Sequence, residues 1–170
     1  MQLLKERIYR LLSFVPVMLI LCFIFAMSDS EGKESASLSM SVSHFIMRII
    51  IPIVKEGASA DDIMEYAVQA QWYIRKCAHI TEFFLLTAAL LLPVEAYHNR
   101  LSPRALIISF FIAISMAAVD EYHQSFIEGR VSTPYDVLID SIGIVIATIT
   151  AYTLHKLNNK RNSDRRRAEG

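Results

Sequence analysis

Four long runs of apolar residues alternate with polar segments along the 170-residue chain. They cover residues 9–27, 77–97, 103–122 and 134–154. Each run is close to the ~20 residues that a helix needs to cross a ~30 Å hydrocarbon core. Because backbone polar groups cannot stay unpaired in lipid, each run is predicted to be helical. The pattern predicts an all-α integral membrane bundle of four transmembrane helices, which forms a domain over residues 1–155.

The first run has an alternative interpretation as a cleaved signal peptide. Lys5, Arg7 and Arg10 would form the charged region of such a peptide, and the sequence Ala26-Met27-Ser28 resembles a cleavage site. The apolar run is longer than the usual ~7–15 residues of a signal peptide, which favours a retained membrane anchor.

Composition supports a membrane protein. Hydrophobic residues make up 54% of the chain, against about 45–50% in an ordinary soluble domain. The net charge is +0, so no global field favours nucleic acid as a partner. Both cysteines, Cys22 and Cys77, lie in or beside apolar runs. We therefore expect no disulfide between them, and no Cys/His cluster has the spacing of a zinc site.

Basic residues predict the orientation of the bundle. They are concentrated at the N-terminus, in the loop between the second and third runs, and in the tail at residues 156–170. Such segments stay on the cytoplasmic side, so both termini are predicted to be cytoplasmic. The acidic segment at residues 28–72 then lies outside the membrane as an extracytoplasmic segment.

The extracytoplasmic segment is not uniform. Its first part, "DSEGKESASLSMSVS", has the composition of a flexible linker. The apolar stretch at residues 44–54 is only 11 residues long. It is too short to span, so we expect it to lie in the interface or on the bundle. Asp61 or Asp62 is expected to cap a helix that continues into the second span.

The alternation of spans brings polar residues from four parts of the sequence to the outer end of the bundle. A charge that faces lipid costs at least ~2.5–3.5 kcal/mol, so these side chains are expected to face the interior of the bundle. The group comprises Arg75, Lys76, His79 and Glu82 on the second span, Asp120, Glu121 and Gln124 on the third, Arg130 in the following loop, and Asp136 and Asp140 on the fourth. We expect His79, Glu82, Glu121, Arg130 and Asp140 to line one outward-opening cavity.

Several of these residues also have a purely structural interpretation. Asp136 follows Thr133 and Pro134 with the spacing of a capping box at the start of the fourth helix. Glu82 lies too deep for capping and needs a partner such as His79 or Arg130. Arg75 and Lys76 could extend to the membrane interface without an active role, and His79 could be a helix-packing donor. Gly143 is expected to allow close approach of two helices.

The arrangement resembles the VanZ-like family of bacterial membrane proteins. The resemblance rests on "RKCAHITEF" at residues 75–83, "DEYHQSFIEGR" at residues 120–130 and "DVLIDSIG" at residues 136–143. It implies a multi-pass protein of the bacterial cytoplasmic membrane. The family takes its name from a member linked to resistance to the glycopeptide teicoplanin, and the resemblance supplies no reaction.

Four functions are compatible with the polar group. The first is binding of a membrane lipid or lipid-linked cell-wall precursor, with an effect on glycopeptide susceptibility. Arg75, Lys76, Gln124, Arg130, Asp136 and Asp140 would be the binding residues, because guanidinium groups bind phosphate in bidentate fashion. The second is a membrane-embedded hydrolase or transferase acting on a lipid phosphate. Its catalytic candidates are His79, Glu82, Asp120 and Glu121.

The third function is proton- or ion-coupled transport, for which intramembrane carboxylates are typical. The fourth is purely structural support of the bundle. No cofactor is expected. A divalent cation held by Asp120, Glu121, Asp136 and Asp140 is the alternative, since such ions prefer oxygen ligands. Four short spans make a small transporter unless the protein dimerises, so a homodimer is an alternative.

Overall fold

The computed structural model describes residues 2–29, 32–98, 102–130 and 132–168, and these residues form α-helices and no strand. The helices are α1 (Gln2–Leu12), α2 (Val15–Asp29), α3 (Gly32–Val54), α4 (Ala60–His98), α5 (Pro103–Gln124) and α6 (Pro134–Ala168). The prediction of an all-α membrane bundle is confirmed.

The first predicted span is divided between α1 and α2 by a turn at Ser13 and Phe14. Pro16 is the second residue of α2, and a proline has no N–H to donate to a preceding turn of helix. Beyond the turn, α2 places Val17 and Ile24 in the buried core beside Phe83. A segment that supplies core residues favours the retained anchor over the cleaved signal peptide.

Four helices pack side by side at one level of the molecule: α2, the second half of α4, α5 and α6. Gly143 of α6 lies so close to α4 that a Cβ built on it would be 2.0 Å from the carbonyl oxygen of Ile80. The core between these helices contains Phe83, Leu86, Ala117 and Ile144, all fully buried. The close approach at Gly143 fixes the relative positions of α4 and α6.

The predicted linker is wrong over residues 32–43, because they belong to the continuous 23-residue helix α3; residues 30 and 31 of that linker lie outside the described residues. The apolar stretch at residues 44–54 continues the same helix, which packs on α4. Small residues bring α3 close to the first half of α4. The buried hydroxyl of Ser43 donates to the carbonyl oxygen of Ala67 at 2.5 Å, and the Gln71 amide donates to the carbonyl oxygen of Ala36 at 2.6 Å. Serines that suggested a linker therefore serve as packing residues.

Helix α3 lies at a different level from the other apolar helices. By length and composition, five helical stretches of the described chain could cross a membrane, one more than predicted. However, α3 contacts the first half of α4, at Ala67 and Gln71, while Gly143 of α6 packs on its second half at Ile80. Because α4 is 39 residues long, it spans about 58 Å, well beyond one hydrocarbon core. The α3–α4 hairpin therefore extends about 25 Å past the four-helix level.

The cap of α4 involves Asp62 together with an unpredicted serine. The Ser59 hydroxyl accepts the Asp62 N–H at 3.1 Å, and the Asp62 carboxylate accepts the Ser59 N–H at 2.9 Å. This reciprocal pair is a capping box. Lys55 closes the turn between α3 and α4 by an ion pair of 2.6 Å with Asp62.

The two ends of the four-helix level differ in charge. At the end where α2 and α5 finish and α6 begins, called the polar end, the predicted site residues lie together. At the opposite end, called the basic end, Arg104 begins α5 and the basic tail forms the last turns of α6. There the Arg10 guanidinium lies 5.3 Å from the centre of the Tyr97 ring.

Candidate functional site

A buried hydrogen-bond network joins α2 and α5 at the polar end. One carboxylate oxygen of Asp120 accepts from the Ser28 hydroxyl at 2.6 Å, and the other accepts from the Gln124 amide at 2.7 Å. The Gln124 amide oxygen in turn accepts from Arg130 at 3.1 Å, and Arg130 also donates to the Met27 carbonyl oxygen at 2.7 Å. These residues, called the Asp120 network, fix the direction of the Arg130 guanidinium.

Glu121 stabilises the start of α6. Its carboxylate accepts the backbone N–H of Thr133 at 2.6 Å, and its backbone carbonyl accepts from the Ser132 hydroxyl at 2.8 Å. Negative charge is favourable at a helix N-terminus. Glu121 therefore supplies a carboxylate at this terminus, in addition to Asp136 in the first turn of α6.

Asp136 does not form the predicted capping box. Its carboxylate forms an ion pair and hydrogen bond with the Lys76 ammonium, which joins α6 to α4. The interpretation of Lys76 as a residue that only extends to the interface is also wrong, since this side chain is directed into the bundle. Lys76 additionally lies 5.7 Å from the centre of the Trp72 ring.

A cavity of about 120 Å³ opens between α3 and the polar end. Its polar lining contains Arg75, His79, Glu82 and Arg130, and its apolar lining contains Met27, Leu38, Val42, Ile74 and Ala78, with Ser39 between them. We call it the site cavity.

Two cations lie close together in the site cavity. Burial lowers the pKa of the Arg130 guanidinium, and the positive charge of Arg75 lowers this pKa further. Arginine nevertheless stays protonated in proteins. The cavity therefore presents two fixed positive charges, which the nearby carboxylates of Glu82, Asp120 and Glu121 partly offset.

His79 and Glu82 form a buried pair on the wall of the site cavity. Nδ1 of His79 lies 3.3 Å from Oε2 of Glu82, but the angles do not make a hydrogen bond. Both atoms are buried and lack a hydrogen-bond partner among the described residues. Such atoms are costly to leave unsatisfied, so the pair, whose residues line the cavity, is a candidate functional group.

The remaining predicted residues, except Asp120, lie around a second, narrower space. It measures about 10 Å³, room for about one water molecule. Its lining comprises Arg75, Lys76, His79, Glu121, Gln124, Asp136 and Asp140. The structure thus brings the ten predicted residues to one end of the bundle but divides nine of them between two spaces, while Asp120 is held in its own hydrogen-bond network. Glu121 and Asp140 line the narrow space, not the site cavity, while Arg75 and His79 line both.

The carboxylates are not arranged as a metal centre. Among the described residues, no group of three or more His, Cys, Asp or Glu side chains could hold a metal ion. Asp120, Glu121 and Asp136 each accept from a different protein donor instead.

The sequence analysis missed two contributions to the site. Ser28, which is 1% exposed, was placed in the extracytoplasmic segment, although it follows the first apolar run directly and so lies at the same end as Asp120. Leu38 and Val42 were missed because they belong to the supposed linker. Their spacing of four residues is the signal that could have identified one helix face.

The fold and the site define a multi-pass membrane protein whose helical bundle contains a buried polar cluster at one end. A family model described as VanZ/LLP1 matches residues 13–155, and the chain belongs to this family. The match confirms the resemblance to the VanZ-like family. No curated protein and no solved structure matches the chain.

Proposed function

We propose that this protein binds the phosphate-bearing headgroup of a membrane lipid or lipid-linked cell-envelope precursor in the site cavity. The observation that carries the proposal is the presence of Arg75 and Arg130 in one partly apolar cavity. Guanidinium groups suit phosphate because their planar fork donates two parallel hydrogen bonds.

The Asp120 network supports this proposal by preorganising one of the cations. Arg130 donates from different nitrogens to Gln124 and to the Met27 carbonyl oxygen. A side chain held in this way loses less conformational freedom when a ligand binds. The apolar part of the lining favours an amphiphile over a free, fully hydrated phosphate ion.

Lysine substitutions test the binding proposal. Arg75→Lys and Arg130→Lys keep the charge but lose the planar fork, so each should lower phospholipid binding by about tenfold while the protein still accumulates in the membrane. Native mass spectrometry of purified protein with added lipid would measure the change. Arg104→Lys, exposed at the basic end, is the matched control. Wild-type binding by both cavity variants would contradict the proposal.

We further infer that the polar end faces the outside of the bacterial cytoplasmic membrane. Arg10, Arg104 and the basic tail lie at the opposite end, and such residues favour the cytoplasm. In a cysteine-free background, Glu56→Cys in the α3–α4 turn should react with a membrane-impermeant thiol reagent in intact cells, while Asn159→Cys should not. The reverse pattern would place the site cavity on the cytoplasmic side and remove the outer leaflet as the source of ligand.

An enzymatic role is the second candidate, favoured by the buried His79–Glu82 pair beside the two arginines. Glu82 would orient His79, and His79 would transfer a proton during hydrolysis or transfer at the bound phosphate. Lipid mass spectrometry of wild type and Glu82→Gln distinguishes the two roles. An enzyme converts the added lipid in a Glu82-dependent way, whereas a binder retains it unchanged.

An envelope phenotype would follow from either role. Sequestering or modifying a lipid-linked precursor at the outer face would alter the access of glycopeptides to the envelope. Teicoplanin susceptibility of cells that express wild type or Arg130→Lys at equal abundance provides the measurement. Equal susceptibility would separate lipid binding from any role in resistance.

A further inference from the structure

The α3 helix presents an uncovered apolar stripe that begins inside the site cavity. Leu38, Val42, Phe45, Ile49 and Ile53 follow one another at intervals of four, three, four and four residues, so they share one face of the helix. All five are exposed, from 42% for Val42 to 79% for Ile53. Leu38 and Val42 also line the site cavity. The stripe is thus a continuation of the cavity wall.

The stripe is long enough for a hydrocarbon chain. From Leu38 to Ile53 it extends over 15 helical steps, or about 22 Å. Among the described elements, α3 packs extensively only on α4, and it extends past the level at which α2, α5 and α6 cover their neighbours. An exposed apolar surface of this kind marks an interaction site.

We propose that the α3 stripe holds the hydrocarbon chain of the lipid whose phosphate is bound in the site cavity. The inference rests on the proposed function and names its ligand class: a long-chain or polyprenyl phosphate. The continuity of the stripe with a cavity that contains both Arg75 and Arg130 carries the assignment. In a lipid phosphate the apolar chain follows the anionic head, just as the stripe follows the arginine-containing cavity. A lipid bound in this way would have part of its chain on the hairpin, beyond the four-helix level.

The dependence of affinity on chain length tests this assignment. Purified protein in amphipol would be titrated with water-soluble alkyl phosphates, from butyl to decyl, by native mass spectrometry. For wild type, affinity should rise by about twofold for each added methylene, less than the roughly fourfold that full burial gives. The double variant Phe45→Asn/Ile49→Asn should bind butyl phosphate as wild type does and lose most of the increase.

The matched control is Met64→Asn/Val68→Asn on α4. These residues are also exposed, and Val68 and Ile49 have the same exposed fraction of 54%. Because partition of the ligands into amphipol is common to all variants, only a difference between the two double variants supports the stripe. Equal loss in both would overturn the assignment to α3.

The other outcomes are also decisive. If wild type binds butyl and decyl phosphate equally, the stripe assignment fails and headgroup binding survives. If no alkyl phosphate binds, headgroup binding itself fails. If wild type is dimeric and Phe45→Asn/Ile49→Asn is monomeric by light scattering, a second copy covers the stripe and the lipid assignment is overturned.

Discussion

The Asp120 network and the site cavity lie side by side at the polar end, yet they satisfy their polar groups in different ways. In the network, both carboxylate oxygens of Asp120 accept protein hydrogen bonds, and the residue is 1% exposed. In the cavity, His79 and Glu82 keep buried atoms without hydrogen bonds in the described chain. Arg130 belongs to both regions.

This difference indicates which polar residues hold the bundle together and which are available for a ligand. A satisfied buried network rigidifies a protein and gives it one arrangement. An unsatisfied buried pair is tolerated where function requires it. We therefore expect network substitutions to lower stability first, and cavity substitutions to lower ligand binding at little cost in stability.

Gly143→Ala should have the largest effect, because it disturbs the scaffold shared by both regions. The added Cβ would lie 2.0 Å from the Ile80 carbonyl oxygen, so α4 and α6 must separate. We expect a loss of about 3 kcal/mol in the free energy of unfolding, measured by denaturation in detergent micelles. Ile142→Ala on the exposed side of α6 is the control. Wild-type stability of Gly143→Ala would mean that the helices are farther apart.

The neighbouring cations Arg75 and Lys76 allow a sharper test, since they lie in different environments. Lys76→Gln leaves Asp136 without its ion pair and should cost about 2 kcal/mol of stability, less than a fully buried pair would. Arg75→Gln should keep stability near wild type and reduce phospholipid binding by about tenfold. Thermal denaturation and native mass spectrometry of both variants measure the two effects. If the two variants lose the same stability and the same phospholipid binding, the proposed division of the site is wrong.

Apolar periodicity predicted much of the bundle and the convergence of its polar residues. The predicted third span, residues 103–122, agrees closely with α5, which ends at Gln124. Because successive spans cross the membrane in opposite directions, the pattern also predicted that Glu82, Asp120 and Asp140 lie at one end. These predictions succeed because the requirement to cross lipid as a helix leaves few alternatives.

Sequence could not predict α3 or the division of the polar residues. A serine such as Ser43 has a low intrinsic preference for helix, and only its contact with Ala67 of α4 explains its position. Similarly, the spacing around Asp136 fits a capping box, but the choice of Lys76 as partner depends on the distance between α4 and α6. Periodicity identifies a helix face; it does not identify which neighbouring side chain reaches it.

Ser28→Ala should have the smallest effect and gives the most direct test of the Asp120 network. It removes one of the donors to Asp120 but leaves the Gln124 amide in place. We expect a loss of about 1 kcal/mol in stability and unchanged phospholipid binding. If the Ser28 hydroxyl and the Asp120 carboxylate act together, the two substitutions should not be additive. The loss of unfolding free energy in the double variant Ser28→Ala/Asp120→Asn should differ from the sum of the two single losses by about 1 kcal/mol.

The control for this cycle is Ser115→Ala, which lies on the same helix as Asp120. The Ser115 hydroxyl donates only locally, to the Phe111 carbonyl oxygen at 2.8 Å, and is exposed. Its effect should add to that of Asp120→Asn within about 0.3–0.5 kcal/mol. Additivity for Ser28 as well would show that α2 and α5 are not joined through Asp120.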